Sequence, residues 1–199
     1  RELDANWKEL EGEHKTFDNA SSGINHAGTA ELGLTYQDGA LTIGAKADVP
    51  NNNATINMML KQNYTSGKYY MELLLKQSFS GEGIRTFVGG NRSNNNCGLM
   101  LTHGAADIGY KYNADGQWGT GISYEKGQWL RLGVELDIDS DTAALYLNGK
   151  LSGKGAVHVN AEDVSKLDAW GFNFRNGMKQ NDYITLGDFK MWKYEETPP

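Results

Sequence analysis

The chain has 199 residues, 39% of them hydrophobic and 22% charged, with a formal net charge of −6. That is the composition of one sizeable globular domain, far from disorder or collagen. Lys and Arg are scattered with no basic stripe, which argues against a nucleic-acid partner. The longest apolar stretch, Met71 to Leu75, is broken by Glu72; a membrane-spanning helix needs roughly 20 apolar residues, so no membrane partner is expected. Against three prolines stand 25 glycines, a ratio that points to tight turns between short strands rather than to helices.

In chain order, residues 6–13 read as a turn. Apolar residues then alternate with polar ones at period two, the signature of half-buried strands, over residues 41–45, 55–60, 67–77, 84–89, 97–102 and 108–113. The pattern continues over 120–124, 129–138, 142–147, 169–174 and 183–194. Asp38-Gly39, Asp115-Gly116 and Asn148-Gly149 are dipeptides that tolerate positive φ at both central positions of a type I′ turn, so each predicts a hairpin. One short helix is expected over 160–167, capped by Asn160 with Glu162 and Asp163 in its first turn. Trp129, Trp170 and Trp192 open strands or alternate with apolar neighbours and are expected in the core.

A dozen strands with almost no helix must hide their edges, so the expected architecture is all-β: a two-sheet antiparallel β-sandwich of jelly-roll type. No composition break divides residues 1–199, which read as a single module, with 195–199 (Glu-Glu-Thr-Pro-Pro) resembling the start of a linker to further domains. Cys97 is the only cysteine; it has no internal disulfide partner and is expected as a strand thiol.

One stretch carries a family resemblance. Trp129-Leu130-Arg131-Leu132-Gly133-Val134-Glu135-Leu136-Asp137 is followed by an Asp/Ser loop and a return strand ending in Tyr146-Leu147-Asn148-Gly149. This resembles the hairpin of laminin-G-like members of the concanavalin A-like lectin/glucanase superfamily. Ser66-Gly67-Lys68-Tyr69-Tyr70 and the closing segment Tyr183 to Trp192 are similar to an early and a last strand of such modules. The resemblance implies a sandwich with a concave, sugar-facing sheet. Many members are non-catalytic carbohydrate-binding modules of secreted bacterial polysaccharide-degrading enzymes, and others are glycosidases or lyases. It also implies a structural calcium between an N-terminal loop and the last strand, for which Asp188 with Asp18 or Asn19 are the candidate ligands.

Catalysis finds little support. Glu135, Asp137 and Asp139 would share one strand face, as retaining glycosidases require of a carboxylate pair. Related glucanases, however, carry a glutamate where Asp139 stands. A Tyr112, His103 and Arg85 set is the lyase-like alternative. No nucleophile elbow, phosphate loop or paired zinc ligands occur.

Sugar binding needs flat aromatic faces and planar hydrogen-bonding groups. Trp118, Tyr110, Tyr112, Arg92, Arg85, His103, Asn173 and Arg175 supply both and are the expected ligand-binding residues. The leading expectation is therefore an extracellular or cell-surface carbohydrate-binding module for an oligo- or polysaccharide. A glycosidase or lyase of the same fold and a protein-binding adhesion module are the alternatives.

Overall fold

The computed structural model describes residues 1–18, 24–27, 30–49, 54–78, 84–88, 99–103, 107–111, 122–140, 142–156, 167–174, 178–196 and 198. The strands are β1 (Trp7–Glu9), β2 (Ile24–Ala27), β3 (Leu32–Gln37), β4 (Ala40–Ala45), β5 (Ala54–Tyr64), β6 (Lys68–Gln77), β7 (Ile84–Val88) and β8 (Leu99–His103). They continue with β9 (Asp107–Lys111), β10 (Ile122–Ser123), β11 (Leu130–Asp137), β12 (Thr142–Leu147), β13 (Lys150–Ala156), β14 (Leu167–Phe174) and β15 (Tyr183–Tyr194). A 3-10 turn, Glu11–Glu13, is the one helical element among the described residues, and no described helix is long and apolar enough to cross a membrane.

The strands form two antiparallel sheets. An eight-stranded sheet runs β13-β12-β11-β6-β15-β4-β3, with β1 also paired to β15, and a seven-stranded sheet runs β10-β9-β8-β7-β14-β5-β2. The period-two pattern explains which sides meet. Met71, Leu73 and Leu75 on β6, Leu132, Val134 and Leu136 on β11, and Phe189 and Met191 on β15 are all buried. They meet Ile56 and Met58 on β5 and Trp170, Phe172 and Phe174 on β14 in one hydrophobic cluster. This is the expected all-β sandwich.

Two of the three predicted hairpins are present. Asp38 and Gly39 adopt φ of 53° and 78° between β3 and β4, and Asn148 and Gly149 adopt 51° and 84° between β12 and β13, the doubly positive pair of a type I′ turn. Asp115-Gly116 lies outside the described residues, as does Cys97. So does the predicted helix up to residue 166; its last position, Leu167, opens β14 instead.

The register of β15 slips once. Leu186 faces Leu75 and Phe189 faces Leu73, so β15 carries one extra residue there, a bulge that keeps both side chains on the core side. Gly187 occupies the bulge because a Cβ would lie 2.9 Å from the Leu74 Cβ and 3.3 Å from the Trp129 ring.

That indole corrects an expectation. Trp129 is 48% exposed, because inward-facing Leu130 follows it and alternation sends Trp129 to the outer face with Arg131 and Gly133. The Lys76 ammonium covers its ring at 4.9 Å. Trp192 is also only partly buried on that face, whereas Trp170 is core as expected.

Tyr70 points outward from β6 yet is 1% exposed. Its ring lies across Gly133, where a Cβ would meet the phenol oxygen at 2.2 Å. Burial, and then the Glu72 charge it hydrogen-bonds at 3.0 Å, push its phenol pKa well above the ordinary value. The Tyr64 phenol is pushed up the same way, by burial and by donating to Glu13 at 2.9 Å. Glu13 is itself 3% exposed and also accepts from the Lys61 amide at 2.8 Å, pinning the N-terminal segment to β5.

Two outcomes follow. Gly133→Ala should lose about 2 kcal/mol of stability by displacing the Tyr70 ring, while Gly44→Ala, which meets nothing within 4 Å, should be near neutral; urea denaturation of both variants checks the contrast. Because Tyr64 and Tyr70 hold their protons more tightly folded than unfolded, the unfolded chain releases them first as pH rises through about 10. Stability should therefore be level below that pH and fall above it, with a shallower fall in Tyr70→Phe, as read from urea midpoints against pH.

Candidate functional site

The outer face of the eight-stranded sheet is occupied by the chain itself. Trp7 meets Tyr194 edge-on at 5.3 Å and Tyr70 at 6.3 Å, and Tyr70 meets Tyr146 at 5.8 Å and Trp192 at 5.7 Å. Two cations close this aromatic layer. The Arg1 guanidinium lies 4.8 Å from the Trp7 ring, and the Lys68 ammonium lies 4.1 Å from the Tyr194 ring. Such cation–π contacts contribute roughly 0.5–2 kcal/mol each.

The carboxylates with catalytic spacing serve this layer and its rim. Glu135 pairs with Arg1 Nε at 3.0 Å and Lys68 Nζ at 3.9 Å. Asp137 accepts from the Asp139 and Ser140 amides at 3.1 and 3.2 Å, and Asp139 accepts from the Gly67 amide at 3.2 Å. Asp137 and Asp139 thus fasten the β11–β12 turn and the start of β6. They line a recess of about 440 Å³ with Lys68, Ser140 and Tyr194.

The opposite face is built differently. On the seven-stranded sheet Asn173 is the register partner of both Thr55 and Arg85, and Arg85 is that of Thr102. This polar row alternates with the rows of Phe172 and Phe174, which are fully buried. Asn173 and Thr55 are half-buried, so they stand on the outer face. Tyr110 sits in register with Leu101 and, through Thr86, with Phe172, while His103 sits opposite Ile84 and thereby in the row of Phe174. The sheet therefore brings Asn173 and Arg85 together and sets Tyr110 and His103 in alternate rows. Trp118, Tyr112, Arg92 and Arg175 lie outside the described residues.

Two residues along β5 from Thr55 stands Asn57. Asn57 is 5% exposed although it belongs to the outward-facing set, between Thr55 and Met59. Its Cα partners are Asn25 and Gly171, and its Oδ1 has no hydrogen-bond partner. A buried amide oxygen without a partner costs about 1–3 kcal/mol. The available signal was an asparagine in the middle of the otherwise apolar run Ile56, Met58, Met59, Leu60.

Of the expected calcium ligands, Asp188 lies on β15 of the other sheet and Asp18 in the segment before β2. Pairing of Lys15 with Phe189 brings the Asp18 segment alongside β15. Asp18 and Asp188 are both exposed, and Asp18 accepts from the Thr16 hydroxyl at 3.0 Å. No three His, Cys, Asp or Glu among the described residues gather to hold a metal ion, and Asn19 lies outside them. Two carboxylates alone fall short of the six to eight oxygens calcium takes.

No protein-family model matches the chain, and no curated protein sequence matches it. Solved structures do. A sialidase superposes with a TM-score of 0.69 at 13% identity, over 90% of this chain and 18% of its own. The receptor-binding domain of botulinum neurotoxin D gives 0.62 at 12% identity, over 96% and 50%. A structure of botulinum neurotoxin type C, whose cell entry depends on interaction with two ganglioside molecules, gives 0.57 at 13% identity, over 87% and 43%. At such identities the likeness establishes a shared β-sandwich fold. The chain spans from under a fifth to half of the length of these matches.

If Glu135 is a structural anchor, Glu135→Gln should lose about 1 kcal/mol of stability, the scale of a partly exposed ion pair. Guanidinium denaturation at low and high salt reads this, with the difference shrinking at high salt.

Proposed function

We propose that this chain is a non-catalytic carbohydrate-binding module of a larger secreted, glycan-degrading protein, of the concanavalin A-like type that the Trp129 to Gly149 hairpin resembles. The observation that carries the reading is the register pairing of Arg85 on β7 with Asn173, which stands on the outer side of the seven-stranded sheet. A planar amide and a guanidinium in adjacent strands form the donor and acceptor set that sugar hydroxyls and carboxylates engage. The shared fold supports it: a sialidase and a neurotoxin dependent on gangliosides for cell entry both use this sandwich. The enzymatic alternative is disfavoured because Glu135, Asp137 and Asp139 are already engaged by Arg1, Lys68 and backbone amides. Sialylated and neutral oligosaccharides are both within the proposed ligand class.

A glycan array spanning sialylated, ganglioside-type and neutral plant and bacterial glycans tests this. The expected result is binding to at least one class, with Asn173→Ala lowering apparent affinity about tenfold, or about 1.4 kcal/mol, at unchanged stability. Silence across the array from folded protein overturns the reading. Sugar release that disappears in Glu135→Gln would replace it with the enzymatic one.

A further inference from the structure

We infer that Trp129 and Lys76 form a second sugar site, on the outer face of the eight-stranded sheet, for a pyranose that carries a carboxylate; this rests on the carbohydrate-binding reading above. The aromatic layer covers that face only as far as Glu72 and Lys190, which are register partners. Two rows further along β6 the face is built differently. Trp129 is 48% exposed with the Lys76 ammonium already lying over its ring at 4.9 Å, so nearly half of the indole meets solvent beside a cation. Among the described residues the only other large apolar side chain left exposed is Leu151, on the edge strand β13.

The surroundings hold the indole in place. Its ring reaches from the start of β11 across β6 to β15, where a Cβ on Gly187 would lie 3.3 Å from it. Tyr183 crosses the other way, starting on β15 with its phenol oxygen 3.8 Å from where a Gly127 Cβ would lie. Lys76 stands in the row that Trp129 opens, since Leu75 pairs with Leu130 and Lys76 with Thr185. That row continues to Thr42, whose hydroxyl shares a hydrogen bond with that of Thr185 at 3.0 Å. These short side chains do not rise to the height of the indole, in keeping with its exposure.

The pair sets the ligand chemistry. The C–H face of a pyranose is a flat apolar patch that stacks on an indole. Lys76 makes no ion pair among the described residues, and an ammonium beside a stacking surface binds a carboxylate through a charge-assisted hydrogen bond. A sugar that carries a carboxylate engages both groups at once, whereas a neutral sugar engages only the ring. The Tyr183 hydroxyl, which can donate or accept, is the neighbouring partner for a sugar hydroxyl.

The test is calorimetric titration of wild type, Trp129→Ala, Lys76→Gln and Asn173→Ala with 3′-sialyllactose and trigalacturonate, and with lactose and maltotriose as neutral counterparts. Urea midpoints establish that each variant is folded, and Trp129→Phe, which keeps a smaller ring, stands in should the alanine variant not fold. The expected result is an acidic sugar bound by wild type about tenfold more tightly than its neutral counterpart. Removing the indole should weaken that binding about tenfold, and Lys76→Gln should bring it down to the neutral level.

Wild-type affinity for the acidic sugar in folded Trp129 or Lys76 variants overturns the inference; a loss confined to Asn173→Ala then leaves the carbohydrate-binding reading standing on the seven-stranded sheet alone. Binding confined to neutral glycans overturns it too. So does a poly-glutamate peptide that binds as tightly as the acidic sugars, since charge alone would then account for the attraction. A wild-type protein silent toward these sugars and across the glycan array removes both readings together.

Discussion

A single dry layer between two sheets is the constraint on which everything else in this molecule depends. Every strand that contributes to it gives one whole side to the interior, since side chains alternate strictly and a slip of one residue would turn the apolar set outward. The bulge at Gly187 shows how firmly this holds. The chain accepts an extra residue there, and with it the loss of a side chain at position 187, so that Leu186 and Phe189 both stay inside. The same rule places Trp129 outside: its neighbour Leu130 takes the inward position, and the indole is left to cover the bulge from the surface.

The two outer faces have diverged in what they do with their polar and aromatic residues. On the eight-stranded sheet the rings of Trp7, Tyr70, Tyr146, Trp192 and Tyr194 satisfy one another, and Arg1, Lys68 and Glu135 seal them electrostatically. That face behaves as a second, smaller core. The seven-stranded sheet carries instead a register row of Thr55, Asn173 and Arg85, and in the next outward row the buried Asn57 with an unpaired amide oxygen.

Much of this was legible from the sequence because both governing signals are local. The predicted bounds of residues 142–147 and 183–194 coincide with β12 and β15. Asp38-Gly39 and Asn148-Gly149 carry their turn type in two residues. Two of the strands that escaped reading lack such a signal. β13, with the sequence Lys-Leu-Ser-Gly-Lys-Gly-Ala, is an edge strand with little to bury, and β1 is three residues long. Of the site, the conjunction of Asn173 and Arg85 depends on which strands become neighbours, and β7 and β14 are far apart in sequence. The burial of Asn57 and Tyr70 was hidden for a different reason: each sits at a position that alternation assigns to solvent, and for Tyr70 the cross-strand neighbour Gly133, over which its ring lies, decides otherwise.

The pairing of β1 with β15, which sets Trp7 beside Tyr194, ties the order of assembly to the order of synthesis. The eight-stranded sheet has β15 between β6 and the pair of β4 and β1, so two of its blocks meet only across the last strand to be made. A chain emerging from the ribosome carries the β3–β4 and β11–β12 hairpins early, yet it cannot join them into one sheet until residues 183–194 are free. Contacts of such long sequence separation make folding slow, in the range of milliseconds to seconds for sandwiches of this kind. During that interval the β4 and β6 edges are open, and they are where a nascent chain of this protein is most exposed to pairing with the wrong strand.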